Sequence, residues 1–141
     1  MAETLETMDR VARRVRAALG AEDPAAFADL LDPAVRWGAP GARNPTCTSR
    51  DQVVAWYRRG VASGVRGEIA GVEIVGDRLL VHMTVRNSNA ADERGGAALR
   101  WQVLTVRAGR IVDIAGFDDR VDAEEFCRAS AEPSPAGPPV P

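Results

Sequence analysis

Near residue 67 the hydrophobic pattern of this chain changes period, and that change restricts the fold more than any other feature. Before it, apolar side chains recur every three or four residues; after it, they alternate. Leu5, Met8, Val11, Ala12, Val15 and Leu19 form one helical stripe, with Arg10, Arg13, Arg14 and Arg16 largely off it, and Gly20 punctuates the end. Asp23-Pro24 opens a second, short helix, because Asp caps well and Pro is pre-shaped for the first helical position. Phe27, Leu30 and Leu31 would be its buried face and Pro33 its stop. Residues 34–37 read as a short strand and residues 38–48 as an irregular loop rich in turn formers. Ser49 with Gln52 is a capping box for a third helix to about residue 62, burying Val53, Tyr57 and Val61, with Val54 and Trp56 on its flank.

The second half reads as two hairpins. Residues 68–75 and 78–87 flank Gly76-Asp77, and residues 98–107 and 110–118 flank Ala108-Gly109. Asp122 with Glu125 repeats the capping pattern before a short helix containing Phe126. Five of the last ten residues are Pro, a composition that cannot pack a core. The expected organisation is one domain over residues 1–130 and a Pro-rich disordered tail over 131–141. Helices segregated from strands argue the α+β class, with three N-terminal helices packed on one face of a curved, mostly antiparallel sheet.

At 141 residues the chain can bury a core without a disulfide or metal. A formal net charge of −2 gives no electrostatic footprint for nucleic acid or acidic lipid, so neither nucleic acid nor membrane is expected as a partner. All 18 basic residues are Arg, which excludes lysine Schiff-base chemistry and a P-loop lysine. Cys47 and Cys127 are far apart and out of metal-ligand spacing with the single histidine, His82. They read as free thiols of a cytoplasmic protein. No signal-type apolar core and no apolar run of spanning length is present.

Hairpin pairing predicts the faces. If Val75 pairs with Arg78, then Val72, Ile74, Leu79, Val81, Met83 and Val85 share a face, and His82, Thr84 and Arg86 lie opposite. If Arg107 pairs with Arg110, then Leu99, Trp101, Val103 and Thr105 join Val112, Ile114, Gly116 and Asp118 on the inner face. The other face carries Arg100, Gln102 and Asp113 beside Leu104, Val106, Ile111 and Phe117. It is too apolar for a purely solvent-facing surface, so a second copy of the chain is expected there as a homodimer. A bulge would reverse these assignments downstream of itself.

The order of elements, with the segments DPAAFADLLDPAVRW, TSRDQVVAWY, GDRLLVHMTV and LTVRAGRIVDIAGFDDRVDAEEF, resembles the nuclear transport factor 2-like superfamily, in particular its SnoaL-like branch. The resemblance runs from about residue 5 to about residue 128. It implies a cone-shaped sheet wrapped on helices, a pocket at the open end, usually a dimer, and no cofactor. Members include polyketide cyclases, ketosteroid isomerases, epoxide hydrolases, dehydratases and binding proteins, so the fold alone names no reaction. The family's acidic residues do not carry over. The last-strand acid falls at Gly116, the Arg-x-Asp pair of the epoxide hydrolases near Met83 and Val85, and the isomerase groups near Gly38, Val15 and Trp101.

The candidates that remain are few. Asp118 is expected inward, where an apolar setting would raise its pKa and fit it for acid–base work; the alternative is a solvated carboxylate at the strand end. His82 is the natural proton shuttle near neutral pH, although the register puts it opposite the pocket. Trp37 and Trp101 would wall and floor a site for a flat or cyclic ligand, with Gly116 leaving a slot beside the indole. Trp56, Tyr57, Met83, Leu99 and Ile114 complete the expected lining, and Asn44 with Arg43 would rim it. Cys47 has no adjacent base and reads as a packed thiol. Two functions follow: a small-molecule-binding domain with cofactor-independent cyclase, isomerase or dehydratase chemistry on a hydrophobic oxygenated, polyketide- or terpenoid-like ligand, or a non-catalytic binding or dimerisation module.

Overall fold

The computed structural model describes residues 4–39, 44–86 and 97–131. The elements are α1 (Leu5–Gly20), α2 (Pro24–Ala28), β1 (Leu31–Gly38), α3 (Arg50–Ala62), β2 (Arg66–Val75), β3 (Arg78–Arg86), β4 (Ala97–Arg107), β5 (Arg110–Phe117) and α4 (Arg120–Ala131). Arg43 and the Pro-rich segment after residue 131 lie outside the described residues. The five strands form one sheet in the order β1-β5-β4-β3-β2; β1 runs parallel to β5 and every other pair is antiparallel. This is the expected α+β architecture of helices laid on a curved sheet.

Local chemistry sets the element ends. Thr4, Asp23 and Ser49 each cap a helix by accepting a backbone N–H three residues on, satisfying donors that the helix itself leaves open. The Gln52 side chain reaches back to the Thr48 N–H at 2.7 Å, fixing the chain's approach to α3. Both hairpin turns hold positive φ: 62° at Gly76, and 51° and 75° at Ala108 and Gly109. Both closing pairs, Val75 with Arg78 and Arg107 with Arg110, form as predicted.

Three boundaries differ from expectation. β1 starts at Leu31, so Leu30 and Leu31 leave the α2 face; Pro33 is tolerated because β1 is an edge strand with an irregular register there. α4 starts three residues early. Asp119, not Asp122, caps it, its carboxylate accepting the Val121 N–H at 3.0 Å and its carbonyl the Ala123 N–H at 3.2 Å. The loop after β1 is also tied down, because Trp37 and Cys47 exchange two backbone hydrogen bonds.

Two bulges govern the sheet. In β2, Ile69 pairs with Met83 and Gly71 with His82, leaving Ala70 as an extra residue. In β5, Ile111 pairs with Val106 and Asp113 with Thr105, leaving Val112 as the extra residue. The main core lies between the helices and the inner face, where Met8, Val11, Val15, Phe27, Val35 and Val53 meet Leu79, Val81, Leu104, Val106, Ile111 and Ile114. A second cluster lies on the opposite face under α4: Leu80, Val103, Ala123 and Cys127, flanked by Trp101, Phe117 and Phe126. Arg78 fastens α4 there, donating to the Phe126 carbonyl at 2.7 Å with its guanidinium 4.3 Å above the Phe126 ring.

Gly38 admits the returning loop: a Cβ there would sit 2.9 Å from the Pro45 Cα, a backbone atom that cannot swing aside. Gly38→Ala is expected to destabilise by about 1–3 kcal/mol through overpacking. Gly20→Ala, whose Cβ would meet nothing within 4 Å, is expected to be neutral or stabilising by up to about 1 kcal/mol. Urea unfolding of both variants checks this; equal midpoints would show that the loop does not need Gly38.

Candidate functional site

Above the main core the helices and the inner face part to leave a cavity of about 530 Å³. Trp37 and Gly38 of β1, with Ala39 and Thr46 of the tied loop, form one wall. Trp56, Tyr57, Gly60 and Val61 of α3 form another, and Leu19, Glu22 and Phe27 close the α1–α2 side. The floor is the sheet: Gly67 and Ile69 of β2, Met83 and Val85 of β3, Arg100 and Gln102 of β4, and Gly116 of β5.

The aromatic groups are ordered by one another. The Trp37 and Trp56 rings stand 5.0 Å apart with a 56° tilt, and Trp56 remains 45% exposed. Tyr57 meets Phe27 edge-on at 5.8 Å. Burial raises the Tyr57 phenol above its ordinary pKa, and the Glu22 and Asp23 carboxylates add to the rise, so it stays protonated near neutral pH. Glu22 itself sits in the left-handed region at φ 52°, its carboxylate 3.8 Å from the Arg66 guanidinium.

Five expected lining residues therefore meet at one cavity: Trp37, Trp56, Tyr57, Met83 and Gly116. The others lie elsewhere. Leu99 and Trp101 are on the opposite face; Leu99 is 58% exposed and Trp101 packs in the cluster beneath α4. The bulge at Val112 shifts β5 by one residue, so Trp101 faces Phe117 across the strands and Gly116 faces Gln102. The expected slot between Gly116 and the Trp101 indole does not form. Ile114 is packed fully into the core, and Asn44 is exposed outside the cavity lining.

Asp118 shares the inner parity of Ile114 and Gly116 but stands at the mouth, 59% exposed, in an ion pair and hydrogen bond with Arg100. His82 lies on the outer face, its ring across Gly71, where a Cβ would come within 2.3 Å of Nε2, and 4.0 Å from the Glu73 carboxylate. Neither of these two is among the cavity-lining residues.

Sequence reasoning missed Arg100, Gln102 and Glu22. The first two follow from α4, whose Phe126 and Cys127 cover a surface that includes Trp101, Val103 and Phe117, a grouping set by the Val112 bulge. With those three beneath α4, Arg100 and Gln102 face inward.

Among the described residues no group of three or more His, Cys, Asp or Glu side chains gathers as a metal site, and no helix is long and apolar enough to cross a membrane. The polar groups in the cavity can orient a ligand: Arg100 donates, Gln102 donates and accepts, and Tyr57 carries a hydroxyl.

The fold is that of the nuclear transport factor 2-like proteins. The sequence model of the SnoaL-like domain matches residues 12–114, so the chain belongs to that family. No curated protein matches it by sequence. A Kribbella flavida protein described as a candidate ketosteroid isomerase superposes with a TM-score of 0.64 at 16% identity, covering 82% of this chain and 79% of that one. A Mesorhizobium loti protein of the same fold and unknown function gives 0.63 at 21% identity, covering 81% and 92%. An M. tuberculosis LEH-like epoxide hydrolase gives 0.58 at 17% identity, covering 88% and 91%. At these identities the likeness is one of fold.

Cys47 and Cys127 are free and fully packed. Desolvation raises both thiols, Cys127 from 9.0 to about 11, although Arg59 and Arg78 respectively pull the other way. Neither suits nucleophilic work. Ellman's reagent at pH 8 is expected to label neither thiol in the native protein and both after unfolding. The raised Cys127 pKa favours the folded state fully below about pH 9, and that contribution, on the order of 2–3 kcal/mol, is lost as pH rises towards 11. Cys127→Ala is expected to flatten that part of the stability–pH curve; an unchanged slope would exclude Cys127 as its source.

Proposed function

We propose that this chain is a small-molecule-binding domain whose cavity takes a hydrophobic, oxygenated ligand of polyketide- or terpenoid-like character. The observation that carries the reading is the cavity itself: about 530 Å³, walled by Trp37, Trp56 and Tyr57, with a few polar groups on an otherwise apolar lining. That size and composition suit a ligand of drug-like dimensions. The reading gains from the family and from a structural neighbour described as an epoxide hydrolase.

Binding fits these residues better than acid–base turnover. An efficient general acid or base needs a tuned pKa within reach of the substrate. Asp118 is solvated and held by Arg100, and His82 is on the other side of the sheet. Titration against polycyclic ketones, steroids, terpenoid epoxides and fatty acids, read by tryptophan fluorescence, is the test. Saturable quenching is expected, diminished in Trp56→Phe and little changed in Trp101→Phe. Quenching that follows Trp101 instead would move the ligand to the outer face, and no saturable binding by any class would sink the reading. Turnover of any bound ketone or epoxide that falls at least tenfold in Asp118→Asn would restore the enzyme reading.

We further propose self-association through the outer face. Leu99 and Val121 are 58% and 55% exposed; the face expected from the sequence to meet a second copy, with Leu104, Val106 and Ile111, is instead the inner one, packed against the helices. Sedimentation equilibrium is expected to report a dimer and Leu99→Glu a monomer. A wild-type monomer at high micromolar concentration would remove this proposal.

A further inference from the structure

Among the described residues, the charged ones lining the cavity are Glu22 and Arg100, and they stand at different places on its wall. Arg100 rises from β4, which pairs with β3, which in turn pairs with β2 beside Arg66, the Glu22 partner. Two strand spacings separate β4 from β2, roughly 10 Å. The Arg100 end is therefore a distinct polar pole.

Three neighbours define that pole. Gln102 lies two residues along β4 on the same face, and both side chains line the cavity. Gly116 lies directly across from Gln102 on β5. A Cβ on Gly116 would stand 3.0 Å from Arg100 Nη2, so the absent side chain is what makes room for the guanidinium. Asp118 then takes Nη1 from the solvent side. Its carboxylate neutralises the arginine's charge although Asp118 is not itself among the cavity-lining residues, and Arg100 keeps only 31% of its side-chain exposure.

The sum of charges decides what this pole prefers. A ligand carboxylate placed here would meet one arginine already paired with one carboxylate, in a cavity whose other charged wall group among the described residues, Glu22, is itself paired with Arg66. It would lose its own hydration for little net attraction. A neutral carbonyl oxygen has far less hydration to lose, and it gains a charge-assisted hydrogen bond from the guanidinium or an amide donor from Gln102.

Resting on the small-molecule-binding reading above, we propose that Arg100, held over Gly116 by Asp118 and flanked by Gln102, selects uncharged ligands carrying a ketone- or lactone-type oxygen over their carboxylate and hydrocarbon counterparts. Arg100 is the specificity-determining residue, Gly116 supplies its space and Asp118 positions it.

Three probes of one ring frame test this: 9-fluorenone, fluorene and fluorene-9-carboxylate, with dissociation constants measured by tryptophan quenching on the full chain. Fluorenone is expected to bind at least tenfold tighter than either of the others. In Arg100→Met, which keeps most of the side chain's stem, that advantage is expected to shrink to threefold or less while fluorene affinity stays within threefold. Gly116→Ala retains the guanidinium but crowds it, and is expected to lower fluorenone affinity with fluorene again unchanged. Circular dichroism melting confirms that each variant is folded; should Arg100→Met not fold, Gly116→Ala decides the matter alone.

Fluorene and fluorenone binding wild type equally would overturn the proposal while leaving the binding cavity in place. Tightest binding by the carboxylate would also overturn it, showing that Asp118 does not neutralise the pole. Ketone preference surviving in the folded variants would assign the selection to other residues. Failure of all three probes to bind would remove the small-molecule reading, and this proposal with it.

Discussion

A strand alternates its side chains between two faces, so one inserted residue reverses every assignment beyond it. This sheet contains two such insertions. Ala70 in β2 turns Gly67 and Ile69 towards the helices; without it, Glu68 would occupy the cavity floor. Val112 in β5 keeps Ile111 and Ile114 both on the inner face although they are three apart in sequence, an odd spacing that regular alternation forbids. The shared consequence is that the inner face near the strand ends is floored by Gly67, Ile69, Met83 and Gly116, small or flexible residues that leave space. The floor nearer the turns is Leu79, Leu104, Val106 and Ile111, which fill it. The core closes at one end and opens at the other because of where the extra residues fall.

The same insertions create a second apolar face. Ala115 and Phe117 come into line with Val103 and Trp101, and α4 lies over them with Ala123, Phe126 and Cys127. An amphipathic helix placed after the last strand can cover either side of the sheet. Here the inner side is already occupied by α1 and α3, and Arg78, nearly buried on the outer side, provides a donor for the Phe126 carbonyl and a cation for its ring. Arg120 adds an exposed tether from α4 to Glu73 at 3.1 Å, beside His82. His82 thus belongs to the surface network that seats α4, and the inner cavity is built without an imidazole.

The legible parts of this fold were those with local chemical causes. Ser49 and Gln52 announce α3, Gly76-Asp77 and Ala108-Gly109 fix both hairpin closures, and the inner face of β3 follows from counting back from Arg78. Bulges have no such cause in the sequence. Val112 is a residue any strand accepts, and both registers of β5 bury apolar side chains: the unbulged one would bury Val112, Ile114 and Gly116, the observed one Ile111 and Ile114. The difference is decided at a distance, by α4 needing Phe117 and Trp101 together. That is why Trp37, Trp56, Tyr57 and Met83, whose places do not depend on how β4 meets β5, were read to the cavity that forms, whereas Leu99 and Trp101, whose face does depend on it, were read to the opposite face. Pro33 misled for a related reason: it stops a helix anywhere, but an edge strand with an irregular register also admits it.

The glycine at position 116 and the arginine at position 100 are best understood as one choice. The resemblance to polyketide cyclases puts an acidic residue at position 116, where a proton could be exchanged with a ligand in the cavity. In this chain the guanidinium of Arg100 reaches to 3.0 Å from the point where that side chain would begin, so the two cannot coexist without one moving. Arginine stays protonated under any condition in which the protein is folded; it donates hydrogen bonds and orients, but it does not take up or release a proton. Asp118, the nearest carboxylate at that pole, is committed to Arg100 from the solvent side. With Gly116 leaving room for a paired arginine, that end of the cavity carries a fixed hydrogen-bond donor where the resemblance would put an acid.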